Sequence, residues 1–363
     1  MGRRASSGLA ESFAGVYTLL VVYASLYPFS GWRDNGAPLG AFLGGGWPRY
    51  WTVFDLLVNV LGYVPLGFLW AALLRVPLGG AAATLLAFAG GAALSLAMET
   101  LQNFLPTRVA SNVDLGSNAL GMLAGALAAL RWGGAILAGG VVARLRDRLV
   151  LAGGGGDAGL LLLALWFLAQ LNPEILLFGT GDLRRLLGLP APLPFSAEGF
   201  SRLEAMIAGS ATIAVGLLGA VLLEGARLAA LVGLLAATLA VRMLAQAALV
   251  APDQWSHWLT PGNGAGVAFG CLVVAVAAFL PRTVQRVLAA LALLAATAFV
   301  NLAPDNPYLA NLIQGLPQGQ FLNFNGLTRL ASSLWPFLAL PWLMLAGASR
   351  RGNGASAPGL ERR

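Results

Sequence analysis

The sequence predicts an all-α fold, a polytopic integral membrane bundle of about ten helices, and three observations carry that prediction. Hydrophobic residues make up 58% of the 363 positions and charged residues only 10%, with a mean hydropathy of +0.76. Soluble domains hold roughly 25% charged residues. The apolar residues gather into runs long enough to cross about 30 Å of hydrocarbon, which takes roughly 20 helical residues. The basic residues are all arginine and fall mainly between those runs. A formal charge of +7 therefore points to membrane topology, and nucleic acid is not an expected partner.

In order, the runs are read at 12–29, 52–74, 78–101, 114–131, 157–178, 203–223, 228–250, 263–280, 286–302 and 330–347. Alternate connections hold Arg3 and Arg4; Arg75; Arg131, Arg144, Arg146 and Arg148; Arg227; Arg282 and Arg286; and Arg350, Arg351, Arg362 and Arg363. The positive-inside rule puts these connections and both termini in the cytoplasm. The opposite connections are poorer in arginine and richer in Trp, Pro and Asn, with Trp255, Trp258 and Tyr308 suited to the headgroup level. The basic, then apolar, N-terminus resembles a signal peptide, but no small-x-small site precedes Tyr27 and Pro28, so it reads as an uncleaved first helix.

Cys271 stands alone in an apolar run, which rules out an intrachain disulfide and a cysteine metal cluster and suits a small buried hydrophobe. The stretch "GGVVARLRDRLVLAGGGGD", residues 139 to 157, joins a basic amphipathic piece to four consecutive glycines. Glycine runs are flexible and form helix poorly. This predicts a four-helix front unit over 1–148 and a six-helix rear unit over 149–363, unless the stretch is a plain connection within one bundle.

Two apolar runs open alike. In "DLLVNVLG" Asp55, Asn59 and Gly62 share one helical face, and in "DLGSNALG" Asp114, Asn118 and Gly121 do the same. Between them, Ser95, Glu99 and Gln102 recur at spacings of four and three near the end of the third run, and "FLPTRVASNVD" adds Arg108. The topology places Asp55, Asn59, Glu99, Gln102, Arg108, Asp114 and Asn118 on the outer side of the membrane, where a bundle brings them together. Capping alone would explain the two Asp residues. It would not explain Asn59 and Asn118 one turn deeper, nor Glu99 at a helix C-terminus, where negative charge opposes the dipole. Ionisable groups in membrane helices usually face a partner or a cavity. The Gly62, Gly121 and Gly125 positions, and the series Gly262, Gly266 and Gly270, are read as small-residue surfaces for close helix packing.

This set of motifs, with "SLYPF" at the end of the first run and "PLGF" at 65 to 68, resembles the VanZ-like family over about residues 12–131. The resemblance implies a multi-pass protein of the bacterial cytoplasmic membrane. It also implies a link to cell-envelope physiology, the founding member being associated with low-level teicoplanin resistance.

The site's vocabulary is carboxylate, amide and guanidinium. Without Cys or His, a zinc centre is not expected, although oxygen ligands could hold a hard cation; no metal and no cofactor are expected. His257, between two Trp residues, reads as interfacial. No P-loop, nucleophile elbow or dinucleotide fingerprint is present. The leading expectation is an outward site binding an anionic lipid or envelope intermediate, with Arg108 on its phosphate or carboxylate. A second is an acid-base enzyme using Glu99 and Asp114. A third is a scaffold or transporter in which the polar set only locks the bundle. Arg242 and Gln246 form a further intramembrane polar pair, with Glu204 as a possible acid partner, and Asn172, Pro173 and Glu174 interrupt the fifth run.

Overall fold

The computed structural model describes residues 2–36, 38–46, 52–136, 140–224, 227–250, 253, 255–307 and 318–345; Tyr308 and the four C-terminal arginines lie outside them. Helix occupies most of each apolar run, and among the described residues there is no β-strand. The helices are α1 (Gly2–Leu26), α2 (Val53–Leu78), α3 (Gly80–Gln102), α4 (Asn112–Ile136), α5 (Val141–Leu149), α6 (Gly154–Gln170), α7 (Leu183–Leu186), α8 (Ala197–Leu222), α9 (Arg227–Leu249), α10 (Pro261–Ala277), α11 (Arg282–Leu302) and α12 (Gln318–Leu345).

Among the described residues, α2, α3, α4, α8, α9 and α11 are long and apolar enough to cross a membrane. The apolar helices Ala10–Leu26, Gly154–Gln170 and Pro261–Ala277 are shorter. The chain is thus an all-helical, multi-pass membrane protein with six candidate spans among the described residues, by length and composition, where about ten were expected. One shortfall has a local cause. The fifth run was expected to 178, but α6 stops at Gln170. Pro173 has no N–H to continue the helix, and the Asn172 side chain accepts the Glu174 N–H at 2.8 Å in a tight turn.

The chain divides into two compact units: Met1–Asp147 with Leu322–Leu327, and Arg148–Phe321 with Thr328–Arg363. In the front unit α2 and α4 pack backbone to backbone. A Cβ on Gly121 would overlap the Val60 carbonyl and one on Gly125 the Val64 carbonyl. Each contact joins residues 61 positions apart, so the two helices run parallel. Gly67 faces the Met122 carbonyl from the other side. Without lateral hydrophobic drive in lipid, such close approach is what helix association depends on.

The rear unit is built around α8, buried along most of its length between α10 and α11. Its core includes Trp166, Phe178 and Trp335, with the Trp166 and Trp335 rings 4.9 Å apart. Here too glycines set the approach of a parallel pair. Gly262 meets the Ser201 carbonyl, Gly266 that of Ala205 and Gly270 that of Gly209, again 61 positions apart.

Candidate functional site

Four helix ends meet at one end of the front unit: the C-termini of α1 and α3 and the N-termini of α2 and α4. Both Asp residues occupy the third helical position, yet they do different things. In α2 the cap closes on itself. Thr52 Oγ1 accepts the Asp55 N–H at 3.2 Å, and the Asp55 carboxylate accepts the Thr52 N–H at 3.1 Å and its hydroxyl at 2.9 Å. This is a capping box, so Asp55 caps its own helix.

The start of α4 is similar but open. Ser111 Oγ accepts the N–H groups of Val113 at 3.1 Å and Asp114 at 3.3 Å. The return bond comes from another helix: the Ser111 N–H donates to Glu99 Oε2 at 2.8 Å. Glu99 therefore opposes the dipole of α3 but sits at the favourable N-terminus of α4. With the cap completed by Glu99, Asp114 is left for α2, and Asn59 Nδ2 donates to its Oδ1 at 2.9 Å.

Deeper in the unit, Asn118 Nδ2 donates to Ser95 Oγ at 3.0 Å, and Gln102 Nε2 to the Ser25 carbonyl at 2.9 Å. Two buried atoms in this region have no partner, Asn118 Oδ1 and the Tyr63 hydroxyl. The hydroxyl lies beside Ser25, Ser95 and Glu99 without good hydrogen-bond geometry to any of them. Among the described residues neither Glu99, 3% exposed, nor Asp114 forms an ion pair.

Arg108 is not the free loop cation that its position suggested. Its Nε donates to the Tyr27 carbonyl at 3.0 Å, and its Nη2 to the carbonyls of Tyr27 at 2.6 Å and Ala24 at 2.8 Å. The guanidinium thus closes the C-terminus of α1, where cations are favoured. Burial lowers its pKa to about 10, the Glu99 carboxylate acting in the opposite direction, and the group stays charged at neutral pH.

Gly62 also needs correction. A Cβ there would meet nothing within 4 Å, and the close approach on α2 falls at Gly67 instead. The Gly62 carbonyl accepts the Tyr17 hydroxyl at 2.8 Å, a tie between α1 and α2.

The structure therefore brings Asn59, Glu99, Asp114 and Asn118 together, holds Asp55 in the cap of α2 close enough for its charge to act on Asp114, and turns Arg108 onto α1. Sequence reasoning missed Ser25, Tyr63 and Ser111. Two of these carried a signal: Tyr63 is one turn beyond Asn59 on the same face, and Ser111 stands three before Asp114, at cap spacing. Among the described residues no group of three or more His, Cys, Asp or Glu side chains could hold a metal ion. His257 is exposed in a turn.

In the rear unit Arg242 does not pair with Glu204. It donates to the carbonyls of Asn172, Pro173 at 3.2 Å and Ile175 at 2.7 Å, in the turn that follows α6. Glu204 instead accepts the Thr260 hydroxyl at 2.8 Å.

Comparison with known proteins bears on the front unit. Residues 10–133 match the VanZ/LLP1 family model, roughly a third of the chain and the part containing α1 to α4. No curated protein and no solved structure matches the chain.

Proposed function

We propose that the VanZ-like front unit is a binding module for a cell-envelope component, working on the outer side of a bacterial cytoplasmic membrane. The observation that supports this is the pair of unsatisfied buried atoms, Asn118 Oδ1 and the Tyr63 hydroxyl, beside two acids without an ion-pair partner among the described residues. A buried polar atom left unpaired costs about 1–3 kcal/mol, and intramembrane ionisable groups are by default functional.

The cluster is rich in acceptors, which suits hydroxyl or amine groups on the ligand. An anion can use only the Nη1 donors of Arg108, because its other three N–H groups are bonded to α1. The ligand is then an anionic component, such as a lipid headgroup or lipid-linked intermediate, whose phosphate or carboxylate is flanked by hydroxyl or amine groups. Altered teicoplanin sensitivity is the expected cellular readout.

One rival reading has specific support. The bonds Asn59–Asp114 and Glu99–Ser111 each tie two helices, which favours a structural lock. An acid-base enzyme would draw on the same two carboxyls, but both are engaged in positioning helix ends. Asn118→Leu removes the unpaired acceptor in a side chain of the same branched shape and, although it also gives up the bond to Ser95, leaves the Asn59–Asp114 and Glu99–Ser111 ties in place. The binding reading expects lost glycopeptide phenotype with unchanged protein abundance and melting temperature. Abundance and melting falling together with the phenotype would support the lock.

A further inference from the structure

The rear unit repeats the central helix pair of the front unit. A shift of 149 positions carries Thr52 to Ser201, Asp55 to Glu204, Gly67 to Gly216, Ser111 to Thr260, Asp114 to Asn263 and Gly121 to Gly270. The same shift aligns "ALGMLAGALAAL" at 119–130 with "AFGCLVVAVAAF" at 268–279. It also maps the α2–α4 contacts onto the α8–α10 contacts, which is why both show the 61-residue separation.

Against this correspondence, the interiors differ: the polar cluster is absent, with Ala208 and Val267 in place of Asn59 and Asn118, and the packing beneath it changes. Tyr63, Leu66 and Met122 pack together as a filled core in the front unit. Their counterparts are Thr212, Val215 and Cys271, each smaller, and all three line a cavity of about 230 Å³ between α6, α8, α9 and α10. Val274 stands where the front unit has Gly125 and takes back part of the space, so the cavity is what remains.

The lining is almost wholly apolar. Leu228 and Val232, 57% and 60% exposed, form its rim on α9, so it opens onto the lipid-facing surface. Trp166, 1% exposed, lines the cavity, and its indole N–H has no partner among the described residues. An empty cavity costs stability in proportion to its volume, and apolar clefts between helices of a bundle are where ligands bind.

We propose that this cavity holds one hydrocarbon chain of a membrane phospholipid. The chain enters from the bilayer past Leu228 and Val232 and occupies the space that Tyr63, Leu66 and Met122 fill in the front unit. This is independent of the front-unit ligand.

The test uses the full-length protein in phosphatidylglycerol vesicles in which one acyl chain carries a photoreactive diazirine. Adducts are expected on 228–238 and 271–275, and the variant Val215→Leu/Cys271→Met, which restores front-unit residues, should reduce them about tenfold without lowering the melting temperature. Cys271→Met alone serves if the double variant does not fold, with a smaller reduction expected. Equal labelling of wild type and filled variant would overturn the proposal, as would adducts confined to the exposed face of Leu272, Val276 and Phe279. Labelling of the cavity by an isoprenoid probe but not by phosphatidylglycerol would overturn the phospholipid assignment.

Discussion

Gly125→Val is expected to destabilise the front unit by about 3 kcal/mol or more, at the upper end of what overpacking produces, while Gly62→Ala has no harmful effect. A side chain at 125 would overlap the Val64 carbonyl and press on the Phe68 N, 2.7 Å from its Cβ. Backbone cannot move aside as a flexible side chain can, so α2 and α4 must separate. Separation breaks more than packing, because Asn59–Asp114 spans the same pair. At Gly62 an added Cβ meets open space, and alanine has the higher helix propensity by about 1 kcal/mol. Thermal melts of the two variants in detergent give the comparison. Similar melting of both would mean that α2 and α4 do not pack as described.

Arg108→Ala is expected to cost about 2–4 kcal/mol, since it removes three charge-assisted bonds to the end of α1 and leaves the Ala24 and Tyr27 carbonyls uncapped. Arg108→Lys should recover part of the loss, keeping the charge near the helix C-terminus but not the planar fork. Melting of wild type, Lys and Ala variants should fall in that order. An alanine variant as stable as wild type would return Arg108 to the role of a free anion anchor. The consequence for functional work is direct: lost ligand in Arg108→Ala alone cannot separate binding from folding, and the lysine variant is needed beside it.

Helix positions and the polar set were legible in the sequence because both rest on period and composition. The face shared by Asp114 and Asn118 follows from helical spacing alone, as does that of Ser95 and Glu99. What was not legible depends on which neighbour arrives. Asp55 and Asp114 have the same local sequence logic, and only the arrival of Glu99 at Ser111 makes one a cap and the other an interhelix acceptor. Gly62 and Gly67 are equally small, and the angle of α4 decides which of them is approached. Arg108 looked exposed because the loop around it is polar, whereas its guanidinium lies over α1, a helix some eighty residues earlier. The internal copy was hidden by composition, since Leu, Ala and Gly match one another by chance in any apolar helix. The common 61-residue separation of its glycine contacts makes it visible.

The central claim is that the front polar cluster binds an envelope component through the unpaired atoms at Asn118 and Tyr63. Native mass spectrometry of the mildly extracted protein, comparing wild type with Asn118→Leu at matched melting temperature, tests it most directly. The account predicts a discrete anionic species bearing hydroxyl or amine groups on the wild type and its loss from the variant. The same bulk phospholipid on both, with no discrete species on either, would contradict it and leave the cluster as a lock between helices.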